Sequence, residues 1–292
     1  DIRDFKKVNE IFQTYKPEVV FHLAAQSLVR YSYISPMETY QTNVMGTMHI
    51  LEAIRNSSSV KVVVMVTSDK CYENREWDRG YRESDSMGGY DPYSSSKGCA
   101  ELIVASYRSS FLQDKDVGLA TVRAGNVIGG GDWADDRLIP DILRSFESGE
   151  PVLIRNPHAT RPWQHVLEPL SGYLLLAQKL FDNKEYAEGW NFGPKEQDIK
   201  PVESILKKMI LNLPGFSWEL NPNTSPHEAN ILKLDISKAQ SKLGWSPEWA
   251  LNKSLDKIID WHKAWIDKED MQLRCVTEIK EYMKDMQNKN HL

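Results

Sequence analysis

Two rhythms of apolar residues alternate along the first part of this chain. Phe5, Val8, Ile11, Phe12 and Tyr15 recur at three- and four-residue intervals, which predicts a helix over 4–15. EVVFHLAA, at 18–25, is a short β-branched run and predicts a buried strand. Met37, Tyr40, Val44, Met48 and Leu51 share one side of a helix predicted over 36–54. VKVVVMV at 60–66 is the next buried strand, 93–111 reads as a helix, and VGLATVRA at 117–124 is a third strand. Residues 67–91, with Gly80, Gly88 and Gly89, read as a long loop. Strands that are apolar throughout, alternating with helices, predict an α/β protein with a doubly wound parallel sheet.

After residue 125 the rhythm changes. GNVIGGGDW is a Gly-rich loop, 138–146 a helix closing at Gly149, and VLIR at 152–155 a short strand. RPWQHV at 161–166 reads as one more alternating strand, which would put Arg161, Trp163 and His165 on the same side. A helix over 168–181 and a strand over 189–193 follow, then helices near 201–213, 235–243 and 251–285. This predicts a first domain over 1–125 and a smaller mixed lobe over 126–292, with segments near 165–193 returning to the first domain. The chain opens DIRDFKKVNEIF, in the rhythm of a strand end entering a helix and without an initiator Met, so an N-terminal portion is expected to be missing.

Composition narrows the function. A net charge of −5 over 292 residues, with no long basic block, argues against nucleic acid as partner. No apolar run is long enough to span a membrane. Cys71, Cys99 and Cys275 form neither a CxxC pair nor a metal-ligand spacing, so reduced thiols, a cytosolic setting and no metal site are expected. Of the nine Trp, Trp133 and Trp163 are candidates for stacking on a base or sugar, while Trp190, Trp245, Trp261 and Trp265 are expected in the core.

Two short stretches carry chemistry. In YSSSK, Tyr93 and Lys97 lie four residues apart, on one face of the predicted helix. A phenol with a reference pKa near ~10 is a poor base, and a nearby ammonium makes it a better one. The pair can then take a hydroxyl proton while hydride leaves the same carbon. The second stretch is Thr67, Ser68, Asp69 and Lys70, where a buried strand ends in a hydroxyl, a carboxylate and an amine. Strand ends of open α/β sheets are where such groups do chemistry. A solvated ion pair of Lys70 with Asp69 or Glu73 is the plainer reading of the same residues.

DI at 1–2, HLAAQ at 22–26, TNVMGT at 42–47, the Ser68–Asp69 strand end, YSSSK and RAGNVIGG follow one another in a familiar order. Over essentially its whole length the chain resembles the extended short-chain dehydrogenase/reductase family. That resemblance implies a Rossmann-type fold, NAD as cofactor, and self-association as a homodimer or homotetramer through the helices at 36–54 and 93–111. The family's Gly-rich phosphate loop is not among these residues. By the resemblance, Asp1 and Ile2 flank the adenine, and Leu23, Ala24, Ala25 and Gln26 line the cofactor after their strand. Asn43 bridges backbone near the active lysine, and Tyr93 and Lys97 serve both cofactor and chemistry.

Within that family, SDKCYENREW, GGGDWADDRLIPD and NPHATRPWQHVLEPL are similar to the sugar-nucleotide 4,6-dehydratases. The implied substrate is a hexose on a cytidine diphosphate. It is oxidised at C4, loses water across C5 and C6, and regains hydride at C6. Asp69 is then the acid at the C6 hydroxyl and Lys70 the base at C5, with the reverse assignment open; Ser68 bonds the C4 oxygen. A basic Lys70 would need its pKa about three units below the usual ~10.4. Arg161 is the first candidate for the diphosphate because its planar fork suits phosphate oxygens; Asn126 and Arg137 come next. The competing readings are an epimerase or reductase of the same family and a non-catalytic Rossmann-type binding protein.

Overall fold

The computed structural model describes residues 1–221 and 231–289. Its helices are α1 (Phe5–Tyr15), α2 (Val29–Ile34), α3 (Pro36–Tyr40), α4 (Gly46–Arg55), α5 (Pro92–Tyr107), α6 (Leu138–Ser148), α7 (Leu167–Asp182), α8 (Val202–Asn212), α9 (Leu251–Ile266) and α10 (Met271–Lys289). The strands are β1 (Val19–His22), β2 (Val62–Val66), β3 (Gly118–Ala124), β4 (Val127–Ile128), β5 (Val152–Ile154), β6 (Thr160–Pro162), β7 (Gln164–His165), β8 (Gly189–Phe192), β9 (Ile199–Pro201) and β10 (Trp218–Leu220). They divide into two compact units. The first is Asp1–Gly125 with Ser171–Phe192 and Leu234–Trp245; the second is Asn126–Leu170, Gly193–Lys233 and Ser246–Leu292.

The first unit is built on a parallel sheet in the order β1-β2-β3-β8. β2 is buried at four of its five positions and β3 at six of seven, as expected of strands covered on both faces. Val63, Met65 and Leu119 form one core with Val8 and Phe12 of α1, Leu51 and Ile54 of α4, and Val104 of α5. Local chemistry sets the helix starts. Asp4 accepts from the Lys7 amide at 3.1 Å to cap α1, and Asp91 accepts from the Ser94 amide at 2.9 Å to cap α5, with Pro92 in its first turn.

In the second unit, Ile139, Ile142 and Leu143 of α6 pack with Ile205, Leu206 and Met209 of α8 and Leu255, Ile258 and Ile259 of α9. Three two-stranded pieces complete it: parallel β4–β7, parallel β5–β10 and antiparallel β6–β9.

Several expectations from the periodicity are corrected. RPWQHV is not one strand: Pro162 ends β6, Trp163 turns back to bond Arg161, and Gln164 starts β7 against a different partner. A proline has no amide to continue a ladder, so the run breaks there and Arg161, Trp163 and His165 do not line one strand face. The helix expected over 251–285 is two helices. Lys268 is left-handed (φ 58°), and Asp270 caps the restart by accepting from Gln272 and Leu273. The helix over 36–54 is interrupted by a π-turn at Gln41–Met45, and the 235–243 segment is a short turn ending in a π-turn at Ala239–Leu243. Trp190, Trp245 and Trp261 are buried, whereas Trp265 is 38% exposed and packs on Trp133, itself partly exposed.

Candidate active site

The first unit gathers its chemistry at the carboxyl end of β2. The strand's last residue, Val66, offers its carbonyl to Lys97 Nζ at 3.5 Å. Three residues on, the chain tightens into a 3-10 turn, Asp69–Cys71, capped by Ser68. Ser68 Oγ accepts from the Lys70 amide at 3.2 Å and donates to Asp69 Oδ1 at 3.0 Å. Ser68 and Asp69 are buried and Lys70 is half-buried. Glu73, the alternative partner considered for Lys70, is instead paired with Arg75 at 2.9 Å.

α5 comes against this turn because Gly98 lets it. A Cβ there would lie 2.9 Å from the Gly88 carbonyl oxygen and 3.3 Å from that of Cys71. The residue before it is Lys97, whose ammonium lies 6.0 Å from the centre of the Tyr93 ring, one helical turn away. Both side chains are buried. Burial lowers the Lys97 pKa to about 8, against the pull of Cys71 and Glu101. His22, at the end of β1, is buried as well; desolvation, then the Lys97 charge, lowers its pKa to about 4, so it is neutral.

Asn43 sits in the π-turn, a distortion frequent at functional sites. Its amide is fully engaged: Oδ1 accepts from the Gln26 amide at 2.8 Å, while Nδ2 donates to the Gln26 carbonyl and to Ser96 Oγ, each at 2.9 Å. It thereby ties the loop after β1 to the residue preceding Lys97. Leu23 and Ala24 follow β1 and are exposed, whereas Ala25 and Gln26 are partly covered. Asp1 is held by the Arg3 guanidinium at 2.6 Å, and the Ile2 carbonyl lies 2.9 Å from His49 Nδ1.

In the second unit, Asn126 accepts through its carbonyl from the Gln164 amide at 3.1 Å. Arg161, three residues earlier on β6, is buried and donates to the Thr160 carbonyl at 3.0 Å. Arg137 stands at the start of α6, half-buried. Trp163 is buried and donates its indole N–H to the Lys200 carbonyl at 2.9 Å, which makes it a core residue.

Sequence reasoning passed over the groups beneath the turn. Glu101, fully buried, forms a two-pronged ion pair with Arg123, with both N···O distances 2.8 Å. Burial opposes its charge, but the Arg123 bonds and charge prevail and hold the carboxyl below its usual range. Thr67 and Thr121 also donate to it, at 2.5 and 2.8 Å. Tyr173 is buried near enough to Asp69 that, after desolvation, the carboxylate charge further raises its phenol pKa. Glu101 did carry a signal, since it stands one helical turn beyond Lys97.

The sequence profile of the GDP-mannose 4,6-dehydratase family matches residues 1–258. The chain belongs to that family. The CDP-glucose 4,6-dehydratase of Salmonella typhimurium is 58% identical, over 97% of this chain and 81% of its own length. Two solved structures share the fold at low identity. The UDP-glucuronic acid 4-epimerase of Bacillus cereus, in complex with UDP-glucuronic acid and NAD, has a TM-score of 0.79 at 22% identity, covering 91% of this chain and 80% of that one. The dTDP-glucose 4,6-dehydratase of Bacillus anthracis, in complex with NAD, has a TM-score of 0.74 at 19% identity, covering 90% and 78%. The parallel α/β sheet expected from the strand–helix alternation, and the Rossmann-type fold implied by the resemblance, agree with the fold shared with these structures.

Proposed function

We propose that this chain dehydrates CDP-glucose to CDP-4-keto-6-deoxyglucose, with NAD as an internal redox partner. The observation that carries this reading is the meeting of two groups of residues: one helix brings the buried Tyr93–Lys97 pair against the turn holding Ser68, Asp69 and Lys70. Simple epimerisation at C4 has no use for the Asp69 carboxyl, whereas loss of water across C5 and C6 needs a proton donor and a proton acceptor beyond the Tyr–Lys pair. The 58% identity with the Salmonella enzyme supports cytidine as the base.

The residues present fit a dinucleotide. Lys97 has one acceptor, at 3.5 Å, which leaves ammonium N–H groups for ribose hydroxyls. Leu23, Ala24, Ala25 and Gln26 would line the cofactor beyond β1, with Asp1 and Ile2 toward its adenine and Asn43 fixing the Gln26 backbone. Bound NAD would accept hydride from C4 and return it to C6, so no net oxidation results. Tyr93 takes the C4 hydroxyl proton, assisted by the Lys97 charge, and Ser68 bonds the C4 oxygen. With C4 a ketone the C5 proton is acidic; Lys70 removes it while Asp69 protonates the departing C6 hydroxyl. Arg161, with Asn126 and Arg137, is assigned to the nucleotide diphosphate.

Exposed apolar residues within 36–54 and 93–111, among them Met37, Met45 and Leu102, support self-association as a homodimer or homotetramer. Sedimentation equilibrium distinguishes the two, and a monomer would remove that part of the proposal.

The test of the activity is incubation of the protein with NAD and CDP-glucose in deuterated water. The expected product is a 4-keto sugar, absorbing in alkali, with solvent deuterium at C5. A C4 epimer without deuterium at C5 would replace the dehydratase reading with an epimerase.

A further inference from the structure

The turn carrying Asp69 and Lys70 is held at both ends by the same buried ion pair. On its near side, Thr67 Oγ1 donates to Glu101 Oε1 at 2.5 Å. On its far side, Arg123 Nη1 donates to the Tyr72 hydroxyl at 2.7 Å, and that hydroxyl donates to Asn191 Oδ1 at 2.7 Å. Glu101 and Arg123 are themselves joined by two parallel bonds, a geometry with little freedom to rotate. The four residues between Thr67 and Tyr72 are therefore pinned to one rigid group.

The pair comes from two elements that are independently fixed. Glu101 stands on α5, one turn beyond Lys97 and two beyond Tyr93. Arg123 stands on β3, the neighbour of β2, with Thr121 on the same strand face also donating to Glu101. The far side is braced further. Arg123 donates to the Glu83 carbonyl at 3.3 Å, Asn191 Nδ2 donates to the Tyr81 carbonyl at 2.8 Å, and Tyr72, Tyr81 and Trp77 stack in sequence.

We infer that Glu101, Arg123, Thr67 and Tyr72 are positioning residues that set the register between the Asp69–Lys70 turn and the Tyr93–Lys97 face of α5. Oxidation at C4 uses the helix pair with Ser68 alone from the turn, while elimination also needs Asp69 and Lys70. Loosening the clamp therefore slows elimination, which needs three groups of the turn, more than oxidation, which needs one. This catalytic consequence rests on the dehydratase reading; the clamp itself does not.

Two small deletions test it, Tyr72→Phe and Thr67→Val, since each removes one hydroxyl and leaves the Glu101–Arg123 pair in place. Hydrogen–deuterium exchange is followed first. The peptide spanning residues 67–73 is expected to exchange about fivefold faster in each variant, as for loss of one ordinary hydrogen bond, with α9 as an unchanged internal reference. Thr67→Ser, which keeps the hydroxyl, is expected to recover most of the protection. In rapid mixing with NAD and CDP-glucose, the two deletions are expected to slow keto-product formation about ten- to a hundredfold, the range for small misplacement of catalytic groups. Reduced nicotinamide, followed by its near-ultraviolet absorbance, then accumulates to a level the parent protein never reaches. Unchanged exchange over 67–73 overturns the clamp. Equal slowing of oxidation and elimination, with no accumulation, overturns its role in register. A parent protein that forms no keto product overturns the dehydratase reading alone, and the exchange measurement still decides the clamp.

Discussion

Lys97 shows what a single residue contributes. Its ammonium lies out of water with one long hydrogen bond, and desolvation brings its pKa from 10.5 to about 8. Between those values the unfolded chain holds a proton that the folded chain has released, so stability rises with pH through that window; below about pH 8 the full cost is present. That cost is on the order of 3 kcal/mol. Replacing Lys97 with Met is expected to raise the urea midpoint at pH 7, to lose that advantage near pH 10, and to abolish turnover. A lower midpoint at pH 7 would contradict it. His22 acts with the same sign in a lower pH window. Desolvation, with the Lys97 charge second, lowers its pKa from 6.5 to about 4, so between those values the unfolded state binds the extra proton and stability falls as pH falls. From pH 7 to pH 5 this amounts to about 2 kcal/mol. His22→Asn is expected to flatten that part of the stability profile, measured by urea unfolding at the two pH values.

At the scale of elements, the parts legible in the sequence are those governed by local periodicity. β2 and β3 are apolar runs buried on both faces, and the N-caps of α1 and α5 are carboxylates next to apolar rhythm. The Tyr93–Lys97 spacing is likewise a local property of one helix. Breaks caused by single residues were harder to read. Pro162 divides an alternating run that otherwise passes for a strand, and Asp270 restarts a helix in a segment of continuous helical rhythm. The Glu101–Arg123 pair was illegible for another reason: its members and their partners come from α5, β3 and the loop after β2, so no spacing announces them. Gly98 joins these levels, because the helix bearing Lys97 can reach the backbone of Cys71 and Gly88 only without a side chain at that position. Gly98→Ala would push those two carbonyls away. The expected result is a stability loss of about 1–3 kcal/mol and a turnover reduced about tenfold or more. Unaltered turnover in a folded Gly98→Ala protein would show that the contact has no bearing on the chemistry.

Over the whole molecule, the residues assigned to bond-making and those assigned to nucleotide grip fall in different compact units. Ser68, Asp69, Lys70, Tyr93 and Lys97 belong to the first, and Asn126, Arg137 and Arg161 to the second. Groups that meet only the unreacting diphosphate bind substrate and transition state alike, and their loss raises KM without lowering kcat. Groups at the reacting carbons act mainly on kcat. Arg161 tests this division well because Lys in its place keeps the charge and most of the stem but gives up the planar fork. A charge-assisted bond to phosphate contributes about 1.5–3 kcal/mol, so Arg161→Lys is expected to raise KM for CDP-glucose roughly ten- to a hundredfold with kcat within about threefold of the parent. Asp69→Asn is expected to do the reverse, lowering kcat strongly at nearly constant KM. Steady-state kinetics on both variants, with folding checked by circular dichroism, decide the matter. If Arg161→Lys lowers kcat as much as it raises KM, the guanidinium acts on the reacting sugar and its assignment to the diphosphate alone fails.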